Sequence, residues 1–126
     1  MEDKRLEATA RLLDVMTTLR RECPWDREQT FDSLRSNTIE ETYELADAIT
    51  DHNMEGIKEE LGDLLFSAVN VSRFVKVDTE EALNGATDKF IGRFRKVEEE
   101  AARQGRTLEG MSLAELDKLW EHAKET

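Results

Sequence analysis

One proline stands in 126 residues, at Pro24, and only six glycines accompany it. Little else in the chain forces a helix to stop. Ala, Glu, Lys, Leu and Arg are plentiful, and no run alternates apolar with polar residues as a strand does. The sequence therefore predicts an all-α fold made of a few long helices. At this length one domain, residues 1–126, is expected, since domains commonly hold about 100–150 residues.

Spacing places the helices. Leu6, Ala10, Leu13, Met16 and Leu19 recur at helical intervals, so a first helix runs from about Asp3 to Arg21. It ends ahead of Cys23-Pro24, because the residue before a proline leaves helical geometry. The stretch from Cys23 to Phe31 reads as a loop. Trp25 in it is either a plug between helix ends or a flat surface on which a base or sugar stacks. A second helix is expected from about Ser36 or Thr38 to Asp51, with a short turn around Ser33 and Leu34 as an option ahead of it, and a third from Met54 to Lys76. Asn53 caps the third, and the short break implies an antiparallel hairpin. The third helix is apolar over most of its circumference (Ile57, Leu61, Leu64, Leu65, Ala68) and should be central. Gly62 in its middle suggests close approach of a neighbouring helix.

A fourth helix is expected from Thr79 to about Arg103, stopping at Gly105, with Leu83, Ala86, Phe90, Phe94 and Val97 inward. Ser112-Leu113-Ala114-Glu115 is a capping box opening a short fifth helix. The expected architecture is a four-helix-bundle core with a short extra C-terminal helix.

Charge narrows the partners. The chain carries 29 acids against 18 Lys and Arg, a net charge of −11. That argues against sequence-independent binding of nucleic acid and against adhesion to anionic membranes. Cys23 is alone, so no internal disulfide forms. The start, Met1-Glu2-Asp3-Lys4-Arg5, leads into no apolar signal segment, and a cytoplasmic location is expected.

The acids carry the chemistry. Glu41 and Glu44 are three apart, as are Glu60 and Asp63, which puts each pair on one helix face. Glu40 with Glu44, four apart, shares a face equally well. Apolar neighbours flank both pairs, and an acid in such surroundings is costly unless something neutralises it. Four carboxylates from two adjacent helices suit a hard, oxygen-loving cation, Mg²⁺ or Mn²⁺. Solvated surface acids are the bland alternative. No Cys or His stands at ligand spacing for zinc, and no Glu-x-x-His pair suggests di-iron. Lys89 and Arg93 share a face one turn apart. They either hold a polyphosphate or are ordinary surface charge.

Four segments in order carry a resemblance. They are Cys-Pro-Trp-Asp-x-x-Gln-Thr (23–30), Thr-Ile-Glu-Glu-Thr-Tyr-Glu (38–44), Glu-Glu-Leu-Gly-Asp-Leu-Leu-Phe (59–66) and Lys-Phe-x-x-Arg-Phe (89–94). Together they resemble the MazG family of nucleoside triphosphate pyrophosphohydrolases. The resemblance implies an all-α enzyme that splits a nucleoside triphosphate into monophosphate and pyrophosphate with Mg²⁺. It implies Glu41, Glu44, Glu60 and Asp63 as metal ligands, and so chooses Glu41 over Glu40. It implies Glu40 and Glu59 as supporting acids, Lys89 and Arg93 as triphosphate contacts, and Trp25 as a base contact. It also implies a homo-oligomer, a dimer ahead of a tetramer. The front of the chain resembles the first domain of two-domain relatives and the back the second, and Thr87 stands where relatives often have Asn. The alternatives are a non-catalytic helical module that binds nucleotide or protein, and a narrower enzyme acting on dUTP, dCTP or phosphoribosyl nucleotides.

Overall fold

The computed structural model describes residues 3–24 and 28–125. All regular structure among them is helical: α1 (Lys4–Glu22), α2 (Phe31–Thr50), α3 (Met54–Phe74), α4 (Thr79–Arg103), a 3₁₀ turn (Leu108–Gly110) and α5 (Leu113–Glu125). The chain divides into two compact units, Met1–Thr79 and Glu80–Thr126.

In the first unit, α2 and α3 form the hairpin and α1 packs on α3, so α3 is the central helix of this unit. Three residues, Asp51 to Asn53, join the hairpin. The turn is closed at both ends. The Asn53 side chain accepts from the Gly56 N–H at 3.1 Å, capping α3. The N–H of His52 donates to Ile49 O and that of Asn53 to Ala48 O, both at 3.1 Å, satisfying the last carbonyls of α2. Met16, Leu34 and Ala48 are buried. Leu6 and Ala10 are exposed, so only the C-terminal half of α1 packs.

Two expectations change here. Helix α2 starts at Phe31, not at Ser36 or Thr38. Thr30 Oγ1 accepts from the Ser33 N–H at 3.1 Å while the Thr30 N–H donates to Ser33 Oγ at 2.8 Å, a capping box that starts the helix earlier. Gly62 marks no close approach among the described residues, since a Cβ there would meet nothing within 4 Å.

In the second unit, α4 ends as expected. Gly105 has φ of 70°, its N–H donates to Ala102 O, and the N–H of Arg106 donates to Ala101 O. The Ser112 hydroxyl accepts from the Glu115 N–H, and Glu115 accepts from the Ser112 N–H, both at 3.2 Å. Arg106 pairs with Glu115. Helix α5 lies on the C-terminal half of α4: Trp120 meets Phe90 at 5.5 Å, and Val97, Ala101 and Ala123 are buried. Leu83, Ala86, Phe90 and Phe94, expected inward, are exposed, and of that set only Val97 is buried.

Candidate metal centre

The hairpin faces its two acid pairs toward each other. Glu41 from α2 and Glu60 and Asp63 from α3 each place one carboxylate oxygen within 4.8 Å of the others'. Glu44, the fourth expected ligand, is not part of that converging group, though it lies near enough for its charge to act on both Glu41 and Glu60. Partial burial pushes the Glu41 carboxyl above its ordinary pKa, and the charges of Glu44, Asp63 and Glu40 push it further. Glu60 is raised in the same way, first by burial, then by Glu44, and then by the charges of Asp63 and Glu59. Glu40 and Glu59 are exposed beside the pairs.

The donor set fits a cation. Glu41 Oε2 and Glu60 Oε2 are buried with no hydrogen-bond partner among the described residues. Buried acceptors left unmet cost about 1–3 kcal/mol each in typical cases. A hard divalent ion meets several such oxygens at once and removes the mutual repulsion that holds these carboxyls toward protonation.

Three uncharged polar residues that the sequence reading passed over lie against the acids. Asn37, Ser67 and Asn70 line a cavity of about 340 Å³ together with Glu41, Asp63 and Phe66. Asn37 Nδ2 donates to Ser67 Oγ at 2.8 Å, tying α2 to α3. Their positions carry a signal. Asn37 precedes Glu41 by four residues, and Ser67 and Asn70 follow Asp63 by four and seven, the recurrence of a single helix face.

Lys89 and Arg93 lie on α4 in the second unit. Lys89 is exposed, Arg93 half-buried, and neither forms an ion pair among the described residues. Trp25 falls outside the described residues.

Residues 29–98 match the model of the MazG nucleotide pyrophosphohydrolase domain. The chain belongs to the MazG family. It is 49% identical over 85 residues to the nucleoside triphosphate pyrophosphohydrolase/pyrophosphatase MazG of Thermotoga maritima, covering 68% of this chain and 32% of that protein. It is 38% identical over 119 residues to the nucleoside triphosphate pyrophosphohydrolase of Mycobacterium tuberculosis, 90% of this chain and 35% of that one. YabN of Bacillus subtilis, uncharacterised, is 49% identical over 81 residues, 64% of this chain and 16% of that one. The chain thus spans about a third or less of the length of these relatives. The crystal structure of a mazG-related protein from Thermotoga maritima superposes with a TM-score of 0.68 at 26% identity, covering 93% of this chain and 99% of that one. The all-helical fold is therefore that of a MazG protein.

Proposed function

We propose that this MazG domain hydrolyses nucleoside triphosphates to the monophosphate and pyrophosphate, clearing the cytoplasmic nucleotide pool, with Mg²⁺ or Mn²⁺. The observation that carries the reading is the convergence of carboxylates from both hairpin helices, two of whose oxygens are buried and unmet. Glu41, Glu44, Glu60 and Asp63 would hold the cation. The chemistry such an ion supplies when bound is polarisation of phosphoryl oxygens and a lowered pKa for nearby water. Glu40 or Glu59 would orient the water that attacks the α-phosphorus and take its proton. Lys89 and Arg93 would bind phosphate oxygens and stabilise charge on the leaving pyrophosphate. Trp25 would contact the base.

The test is Mg²⁺-dependent pyrophosphate release by Glu41→Gln and Asp63→Asn. Each should fall by more than about 100-fold, beyond the range for a residue that merely supports a metal ligand. Helix content by circular dichroism should not change. Unchanged turnover in either variant sinks the assignment.

We further propose a homo-oligomer, a dimer ahead of a tetramer. Supporting it, α2 and α3 leave large apolar side chains in water, including Tyr43 at 67% and Leu65 at 55% exposure. An apolar groove of about 420 Å³ is lined by Phe31, Leu34, Ile39, Val71 and Val75. Buried apolar area stabilises association at about 25 cal/mol per Å². Light scattering should give at least twice the mass of one chain, and Val75→Glu should shift it toward one. A wild type of single-chain mass overturns the proposal.

A further inference from the structure

We propose that Asn70 reads the nucleoside half of the substrate, its Oδ1 accepting a hydrogen bond from a donor on the nucleoside, a sugar hydroxyl or a base N–H. The assignment rests on the nucleotide-binding part of the reading above.

Asn70 Oδ1 is buried with no partner among the described residues, and its residue lines the same cavity as Glu41 and Asp63. An amide carbonyl in that state is unmatched until a donor arrives. The cation cannot be that partner. Asn70 follows Asp63 by seven residues, about 10 Å along the helix at 1.5 Å per residue. Oxygen ligands of hard cations sit only about 2.0–2.6 Å from the ion. Side chains on a helix lean toward its N-terminus, so the tips of Asp63 and Asn70 stay about as far apart as their backbones. An ion held by Asp63 and Glu41 is thus beyond the reach of Asn70, whereas a ligand lying along the cavity spans both ends. Its phosphates would occupy the carboxylate end, where the cation compensates charge. The uncharged remainder would then lie along Ser67 and Asn70.

The lining suits that remainder. Ser67 is 5% exposed, and its Oγ already accepts from Asn37, so the pair forms a fixed wall bridging the two helices. Phe66 adds an apolar surface to the same cavity. A carbonyl acceptor such as Asn70 Oδ1 has no hydrogen to donate to a phosphate, whereas a sugar hydroxyl or base N–H can donate to it, and an aromatic ring suits a sugar or base.

The test measures binding apart from turnover. Non-hydrolysable α,β-methylene triphosphates of the four ribonucleosides, of their 2′- and 3′-deoxy forms and of purine riboside are titrated with Mg²⁺ by calorimetry. Inorganic tripolyphosphate is the nucleoside-free control. Wild type should prefer the analogue bearing the donor by about ten- to a hundredfold over its counterpart lacking it, the cost of a buried carbonyl left unmet. Asn70→Leu should lose that preference and keep its affinity for tripolyphosphate. A factor that vanishes with a deoxy form assigns the donor to the sugar. One that vanishes with purine riboside assigns it to the base. Asn70→Ser, smaller and polar, repeats the measurement should the leucine variant melt early.

Undiminished discrimination in both variants overturns the proposal, with a water molecule then the partner of Oδ1. Equal loss of tripolyphosphate binding also overturns it, because the role is then structural. The two readings fail separately. Donor-dependent binding without pyrophosphate release by wild type removes the hydrolytic function and leaves Asn70 assigned. Hydrolysis with no effect at Asn70 removes only Asn70. Absence of any nucleotide binding removes both.

Discussion

His52 and Lys76 hold φ of 54° and 61°, a region that residues with a Cβ occupy at a cost of about 1–2 kcal/mol. Both close helices. The N–H of Lys76 donates to Arg73 O at 3.3 Å and that of Val77 to Ser72 O at 2.9 Å, as His52 and Asn53 do for α2. Gly105 serves the same purpose at the end of α4 without strain. His52→Gly should therefore raise stability to urea by about 0.5–1 kcal/mol, the relief of strain being partly offset by a freer unfolded chain. A loss of stability would show that the imidazole makes a contact worth more than the strain. The sequence announced all three termini, near Asp51, Lys76 and Gly105, but was silent on the conformation of the first two, because no residue type marks a left-handed histidine or lysine. At the acids, spacing left Glu40 and Glu41 as equal candidates. The fold separates them: Glu41 is half-buried among Glu44, Glu60 and Asp63, while Glu40 is exposed. Asn37, Ser67 and Asn70 stayed hidden because a search for charge does not see amides and hydroxyls.

Among the helices, α5 depends most visibly on one ionised group. Glu115 accepts from Arg106 and from the Ser112 N–H, and the Arg106 guanidinium holds its carboxyl down from an ordinary 4.5 to about 2. A depressed carboxylate pKa contributes stability that is present above the unfolded value and disappears as protons bind to the folded state. The stability of α5 should therefore decline as pH falls from 4.5 toward 2. The Trp120 indole resonance, which reports packing on Phe90, should follow that decline. Glu115→Gln should be less stable at neutral pH and nearly flat across the same window. A wild-type profile as flat as the variant's would show that the pair contributes nothing. The capping box behind this was legible in Ser112-Leu113-Ala114-Glu115, whereas Arg106 lies nine residues from its partner, beyond any local pattern. The start of α2 was missed for a related reason. Its box uses Ser33 in place of the Glu or Gln that the usual pattern has.

Across the molecule, the helical class, the order of the helices and the hairpin were readable from the scarcity of proline and the spacing of apolar residues. What each helix buries was less so. Leu6, Leu83 and Leu113 obey helical spacing yet are exposed, because periodicity identifies an apolar face without saying whether anything covers it. The separation into Met1–Thr79 and Glu80–Thr126 left no trace in composition, since the residues around Thr79 read as an ordinary helix cap. The acidic hairpin has a consequence for how the chain acquires its site. Every carboxylate of the cluster lies between Glu41 and Asp63, across a turn of three residues. Bringing the pairs together closes only a short loop, and the entropy of closure grows slowly from a small value. Contacts so near in sequence form early relative to distant ones. The carboxylates can therefore meet before the second unit has folded, and their repulsion is felt from that moment on.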